Sequence, residues 1–483
     1  MKIVIITVSI LMLLAAIGLA QAPDTAWVKY YHRGSTDIGY SIVETDDGGF
    51  LIAGTSQQYD ASYLDIWLVR IDQNGDSLWA KTYSYSPENN LSLYAYSLRN
   101  DPNGGYVIGG MKQMSSSANN PYVLKIDENG DSLWSFSMRR SDNCEANFIA
   151  CTNDSGYVLV GYAYTSGSIN IFALKLDSQG DSCWVRYYDH GNWEQPYVVE
   201  QTSDGGFIIG GKTNYNTSGS FDYYVVKADA LGNAVWSDVY GGDNYDYCNA
   251  IQPTPDGGYI LYGEMQVYSS AVGLAIKTDS IGQIEWQHTY TGPVSANYGR
   301  SVDQCSDGGY IFGGHCNVTY NYEDFYFIKT DANGDTLWTK AVGNSYDEDA
   351  YCVLQASDGS YLLVGHGFYS IDTDGDALLV KLNAEPTSIE DKHALPSLIN
   401  VFGAYPNPFN AATTIRFELP AQSNVVIDIY DLLGRKVANA FKGIKPAGYY
   451  QITWQADDYS SGLYFYRIGI GSYSKTGKMI LLK

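Results

Sequence analysis

Seven positions, each following a glycine that closes a short apolar run, carry Thr55, Met111, Tyr162, Lys212, Glu264, His315 and His366. A carboxylate and two imidazoles at successive copies of one position are the donor types of a metal centre. The copies sit on neighbouring sheets ~10 Å apart, however, whereas zinc ligands each reach ~2 Å from one ion. The ring therefore reads as a ligand-contacting surface, and no metal site is expected. Asp372-Thr373-Asp374-Gly375-Asp376 alternates carboxylates like a calcium loop. Its glycine is misplaced and the later bidentate glutamate is missing, so calcium at Asp372, Asp374 and Asp376 is the only cofactor left open. For acid–base work, Glu194, Asp243, Asp246, Glu323, Asp347, Glu348 and Asp349 share one face, and none stands out as a pair. A Gly-x-Ser-x-Gly elbow, an HExxH helix and a phosphate-cradling glycine loop are all missing from the sequence, so no catalytic residue is assigned.

What positions these residues is an internal repeat. Trp27, Trp79, Trp134, Trp184, Trp236, Trp286 and Trp338 recur at intervals of about 50 residues. Each unit holds four apolar runs with strand periodicity. Turns such as Asp47-Gly48-Gly49 and Asp72-Gln73-Asn74-Gly75-Asp76 separate them, and glycine there supplies the positive φ that hairpins need. Four-stranded meanders of this length suit propeller blades, because a ring buries faces that one sheet cannot. The seventh copy stops after its third strand near Leu382. Its missing strand stands at the other end of the chain, where Asp24–Tyr30 matches Asp76–Thr82. The expected fold is all-β: a seven-bladed propeller over 21–383 whose last blade is closed by the N-terminal strand, with no exposed edge left to aggregate.

The uniform turns lie on one face of such a ring and the variable loops on the other, where function usually sits. Those loops are rich in Tyr, Ser and Asn, which offer flat contact area and adaptable hydrogen bonds. The expected ligand-binding set on this face is Thr55, Tyr59, Tyr162, Trp193, Lys212, Tyr215, Glu264, His315, Tyr322 and His366. An extracellular glycan or a protein is the expected ligand. The alternative is a secreted carbohydrate-active hydrolase or lyase, which requires two convergent carboxylates from different blades.

Residues 1–20 read as a secretory signal peptide, with Lys2 ahead of an apolar core and small residues at Gly18 and Ala20. No later apolar stretch reaches the ~20 residues of a membrane span. The net charge of −24 argues against nucleic acid and anionic membrane surfaces. Seven cysteines lack metal-ligand spacing. They read as small buried hydrophobes, with Cys144–Cys151 or Cys305–Cys316 as alternative pairs.

Beyond a linker at 384–400, residues 401–483 show Asn407-Pro408-Phe409, IYDLLGRKV, SGLYFYRI and a late Lys478-Met479, enough short strands for a small Ig-like β-sandwich. This run resembles the C-terminal sorting domain of type IX secretion (Por secretion family) cargo. The resemblance implies passage across the outer membrane through that machinery, to the cell surface or the medium. The motif positions carried over are Asn407, Pro408, Phe409, Gly434, Arg435, Gly448, Trp454, Gly462, Tyr464 and Lys478, although Ala411 departs from the proline usual after the box. The propeller units resemble a bacterial β-propeller repeat of secreted proteins, a likeness that implies fold and hardly any activity.

Overall fold

Among the described residues, six runs of four consecutive short strands each make a four-stranded antiparallel sheet, and a seventh such sheet is completed by the N-terminal strand. In the computed structural model the described residues are 21–385 and 399–483, except 60, 86–89, 116–117, 139–143, 166, 192, 216–219, 243, 268–269, 294–295, 319–321, 345, 369–374, 406, 408, 411, 447, 457–458 and 472. The signal-peptide expectation, Pro408, Asp372 and Asp374 thus fall outside them. Among them two compact units emerge, divided between residues 385 and 386. Among the described residues no helix is long and apolar enough to cross a membrane.

Blades 1 to 6 begin with the strands Thr36–Glu44, Leu93–Asn100, Cys144–Cys151, Glu194–Gln201, Asp246–Pro253 and Asn297–Gln304. Blade 7 comprises Glu348–Gln355, Tyr361–Gly367, Asp376–Leu382 and the N-terminal strand Thr25–Tyr31. Trp27 is in register with Lys381 and Tyr31 with Ala377, so the ring closes as the repeat count requires. The first strands of successive blades touch all the way round, the first blade meeting the seventh. They form the innermost layer. Third strands such as Leu64–Ile71 are buried on both faces, while outer strands such as Ser77–Tyr83 alternate toward solvent.

The uniform face is held by one ion pair per blade, six of them alike and blade 2 drawing on an aspartate two residues earlier in its turn. A buried cation from each third strand meets the aspartate of its blade's first turn: Arg70–Asp47, Lys125–Asp101, Lys175–Asp154, Lys227–Asp204, Lys277–Asp256, Lys329–Asp307 and Lys381–Asp358. Blades are joined by the repeated tryptophans. Trp184 lies on Gly232 of the next blade, where a Cβ would come within 2.7 Å of its ring. The Tyr188 hydroxyl donates to the Gly232 carbonyl at 3.0 Å. Trp338 has no such turn ahead of it, because blade 7 takes its fourth strand from the far end of the chain. Its Nε1 donates instead to Glu385 at 2.8 Å.

Neither alternative cysteine pair forms. Cys144 and Cys151 stand at opposite ends of one strand, and Cys305 and Cys316 lie about a strand's length apart. At ~3.3 Å per residue each separation is roughly 20 Å, against a Cα spacing of under ~7 Å for a disulfide.

The C-terminal unit places seven strands in two sheets, one of three and one of four. Both sheets face a core that includes Phe409, Ile415, Phe417, Ile427, Trp454, Tyr466 and Met479, which makes it a β-sandwich.

Candidate functional site at the mouth of the propeller channel

Every innermost strand slips register once, so that one residue has no partner on the second strand. A bulge of this kind leaves the extra residue outside the ladder and re-aims its side chain. The seven bulged residues are Tyr40, Tyr96, Asn147, Tyr197, Asn249, Arg300 and Tyr351, and all seven line one axial cavity of about 470 Å³. Tyr40 packs between Tyr351 and Tyr96, with ring centroids 4.9 and 5.4 Å away. Toward the turn face the Arg99 guanidinium donates to Glu200 at 2.8 Å and so links blades 2 and 4. Asp303 accepts from Gln252 at 3.2 Å and from the Gln355 backbone at 2.8 Å.

The channel mouth on the variable face is lopsided. Blades 7, 1 and 2 contribute Tyr351, Tyr40 and Tyr96 and blade 4 adds Tyr197, whereas the charge comes from blades 4 to 7. The Lys212 ammonium lies 4.5 Å from the Tyr247 ring centre and 4.8 Å from Phe221, a cation–π setting. Burial lowers its pKa against the pull of Glu264. Glu264 Oε2 stands 3.9 Å from Arg300 Nη1. Burial raises that carboxyl's pKa, with Arg300 and Lys212 opposing.

His315 is the hub of this charged half. The backbone N–H of Ala350 donates to its Nδ1 at 3.3 Å, which leaves the proton on Nε2. Burial, then the Arg300 charge, push its pKa down to about 3, so the ring stays neutral. Nε2 faces Asp349 Oδ1 at 3.5 Å and Glu323 Oε2 at 3.6 Å. The three atoms lie within 4.8 Å of one another. Such a triad has the composition of a metal site, yet a nitrogen that carries its proton is a donor and not a ligand. Burial raises the pKa of both acids. For Glu323 the neighbouring Asp349 and Asp347 add to the rise and Arg300 opposes it, while for Asp349 Arg300 and the His366 ring oppose it and Asp347 adds to it.

A second group, His32, Asp37 and Asp376, lies where blades 7 and 1 meet. His32 Nδ1 is 2.7 Å from Asp376, its Nε2 is 2.9 Å from the Tyr59 hydroxyl, and Asp37 caps the backbone N–H of Arg33 and Gly34. Both imidazole nitrogens are thus engaged in closing the ring. Of the calcium candidates only Asp376 is described, and it is held here.

The residues expected from the repeat stand on the second strand, one step outward from the mouth. Thr55, Tyr162, Lys212, Glu264, His315 and His366 are in register with Ile38, Glu145, Gln195, Tyr247, Tyr298 and Asp349 of the innermost strands. Thr55, Glu264 and His315 are buried, whereas Tyr59, Trp193 and Tyr322 are exposed. Lys212, Glu264, His315 and His366 are brought to the charged half. Tyr215 packs on His190, Trp193 on Phe221 and Tyr322 on Tyr346, farther out on the rim. The bulged ring itself was not among the expected residues. A small residue precedes each bulge (Gly39, Ala95, Ala146, Pro196, Cys248, Gly299 and Ala350), and that is the signal from which the ring is readable.

In the C-terminal unit, Asn407 clamps the last strand, donating to the Lys478 carbonyl and accepting from Ile480 N–H, both at 2.7 Å. Phe409 is buried edge-on against Trp454, which also packs on Tyr464. Gly434 takes φ +77° in the turn where Arg435 pairs with Asp431. Gly448 and Gly462 each begin a strand.

The protein class that emerges is an exported seven-bladed propeller with a C-terminal sandwich. Residues 403–482 match the secretion system C-terminal sorting domain family. The C-terminal unit is a type IX sorting domain, which engages the secretion machinery and directs the chain to the cell surface or the extracellular space. A search of curated proteins finds no match to the chain. Among solved structures, a puromycin hydrolase S511A mutant complexed with PGG is 12% identical with a TM-score of 0.50, the match covering 83% of this chain and 61% of that one. The polysaccharide lyase Uly1 is 11% identical with a TM-score of 0.46, covering 74% and 92%. An α-L-arabinanase of Penicillium chrysogenum complexed with arabinobiose is 9% identical with a TM-score of 0.41, covering 74% and 98%. Likeness at such identity concerns the fold alone.

Proposed function

We propose that the propeller is an extracellular recognition module that binds a glycan across the mouth of its channel. In this reading it spans 21–383 behind a signal peptide at 1–20, and a linker at 384–400 leads to an Ig-like sorting sandwich at 401–483. The observation that carries the proposal is the composition of the mouth, where Tyr351, Tyr40 and Tyr96 pack tilted and edge-on in a row beside the charged cluster around Arg300. Flat aromatic faces pack on the apolar faces of sugar rings, while charged and amide groups bond their hydroxyls. Exposed Tyr59, Trp193 and Tyr322 extend this character along the rim. The test is a glycan array probed with the exported chain. Binding that Tyr40→Ala or Tyr351→Ala weakens at least tenfold supports the reading, and retention on a protein ligand in place of any glycan contradicts it.

A further inference from the structure

We propose that Glu323 and Asp349 are a general acid and a nucleophile that hydrolyse a glycosidic bond of the glycan held at the mouth. The inference rests on the glycan reading above and adds catalysis to it. The two carboxylates come from different blades, Glu323 from the third strand of blade 6 and Asp349 from the first strand of blade 7. Their nearest oxygens lie within 4.8 Å, fixed on either side of the protonated Nε2 of His315. Carboxyl groups about 5–5.5 Å apart act by double displacement with retention, whereas inverting pairs stand roughly 6.5–9.5 Å apart to admit a water.

The surroundings separate the two roles. Burial raises both carboxyls, and for each of them Arg300 opposes the rise while Asp347 adds to it. The Asp349 charge adds a further rise at Glu323, so of the pair Asp349 ionises first, as a nucleophile requires, and Glu323 holds its proton, as a general acid requires. Both acids are partly open to solvent while His315 beneath them is buried, so the oxygens are reachable from the mouth. A further group points the same way. The Glu264 carboxylate is nine-tenths buried, its Oε2 has no hydrogen-bond partner, and it is turned to the same guanidinium. A ligand hydroxyl bridging Glu264 and Arg300 would satisfy it.

The reaction balances with water alone. Asp349 attacks the anomeric carbon and forms an ester as the bond to the departing sugar oxygen breaks, and that oxygen takes the Glu323 proton. Water, giving a proton back to Glu323, then attacks the same carbon and releases Asp349. One water is consumed per bond cleaved, and the configuration is retained.

The test uses the full exported chain and the glycans that the array shows to bind, with products followed by mass spectrometry and proton NMR. Cleavage with retained configuration is expected. Asp349→Asn should abolish turnover, and Glu323→Gln should slow it about a hundredfold or more. A dinitrophenyl glycoside of the bound sugar needs no acid, so Glu323→Gln should release dinitrophenolate from it at a rate near wild type, with azide accelerating the second step. Bound glycans that remain intact would overturn the catalytic assignment and leave the recognition reading standing. Cleavage that survives Asp349→Asn would also overturn it. An array with no bound glycan would bring down both.

Discussion

Trp338 donates its indole N–H to Glu385 at 2.8 Å, and the Tyr361 hydroxyl donates to the same carboxylate oxygen at 2.9 Å. Elsewhere the repeated tryptophan rests on a turn glycine of the next blade. At the seam no such turn exists, and this residue just beyond the last strand takes its place. Glu385→Ala should therefore cost about 1–3 kcal/mol of stability, while Glu385→Gln, which keeps an acceptor oxygen, should cost about half as much. Urea unfolding followed by tryptophan fluorescence measures both.

The pH dependence of stability should fall away on two sides. Burial, reinforced by Asp324, pushes the Glu348 carboxyl up to about 8. Burial, reinforced by Asp222, lifts Asp246 to about 6. The folded state keeps these protons where the unfolded chain releases them, so stability declines as pH rises from about 4.5 to about 8. On the acid side burial opposes ionisation of Asp204, but bonds from Thr202, Lys227 and Gly206 outweigh it and bring its pKa to about 2. Its contribution is present above about pH 4 and is lost as pH falls toward 2. Glu348→Gln should flatten the alkaline arm by on the order of 1–3 kcal/mol and leave the acid arm unchanged, read from urea midpoints between pH 3 and 9.

One turn of the uniform face is strained. Ser155 holds φ +66° where the other first turns place glycines such as Gly205 and Gly257, at +80° and +86°. A side chain in that region is disfavoured. Ser155→Gly should stabilise the propeller by about 0.5–1 kcal/mol, seen as a raised Tm.

Gly232 makes the opposite case. It combines φ +76° with Trp184 so close that a Cβ would lie 2.7 Å from the ring. Gly232→Ala should destabilise by about 2 kcal/mol or more, and calorimetry of the two glycine-site variants together separates backbone strain from lost space.

Much of the architecture was legible in the chain because its determinants are local. The turn glycines, the strand periodicity and the unmatched copy at Asp24–Tyr30 each announce themselves within a few residues. The candidate site was legible only by position. Lys212, Glu264, His315 and His366 stand out because they break the repeat's symmetry, and they stand on the second strands, one step outward from the bulged ring that lines the cavity. The lining residues were missed because a bulge moves one residue out of alternation. Period-two patterning cannot display such a shift, although the small residue before Tyr40, Arg300 and their counterparts marks the place. The pairing of Glu323 with Asp349 joins two blades through His315, and no spacing along the chain encodes that contact.

The most direct test of the glycan reading is equilibrium binding of array-selected glycans to the exported chain, compared with Tyr40→Ala, Tyr351→Ala and Trp193→Ala. Wild-type binding with Kd raised at least tenfold by the two channel variants and a smaller loss for the rim tryptophan is the predicted result. Binding indifferent to all three substitutions, with each variant folded by calorimetry, would contradict a channel-mouth site.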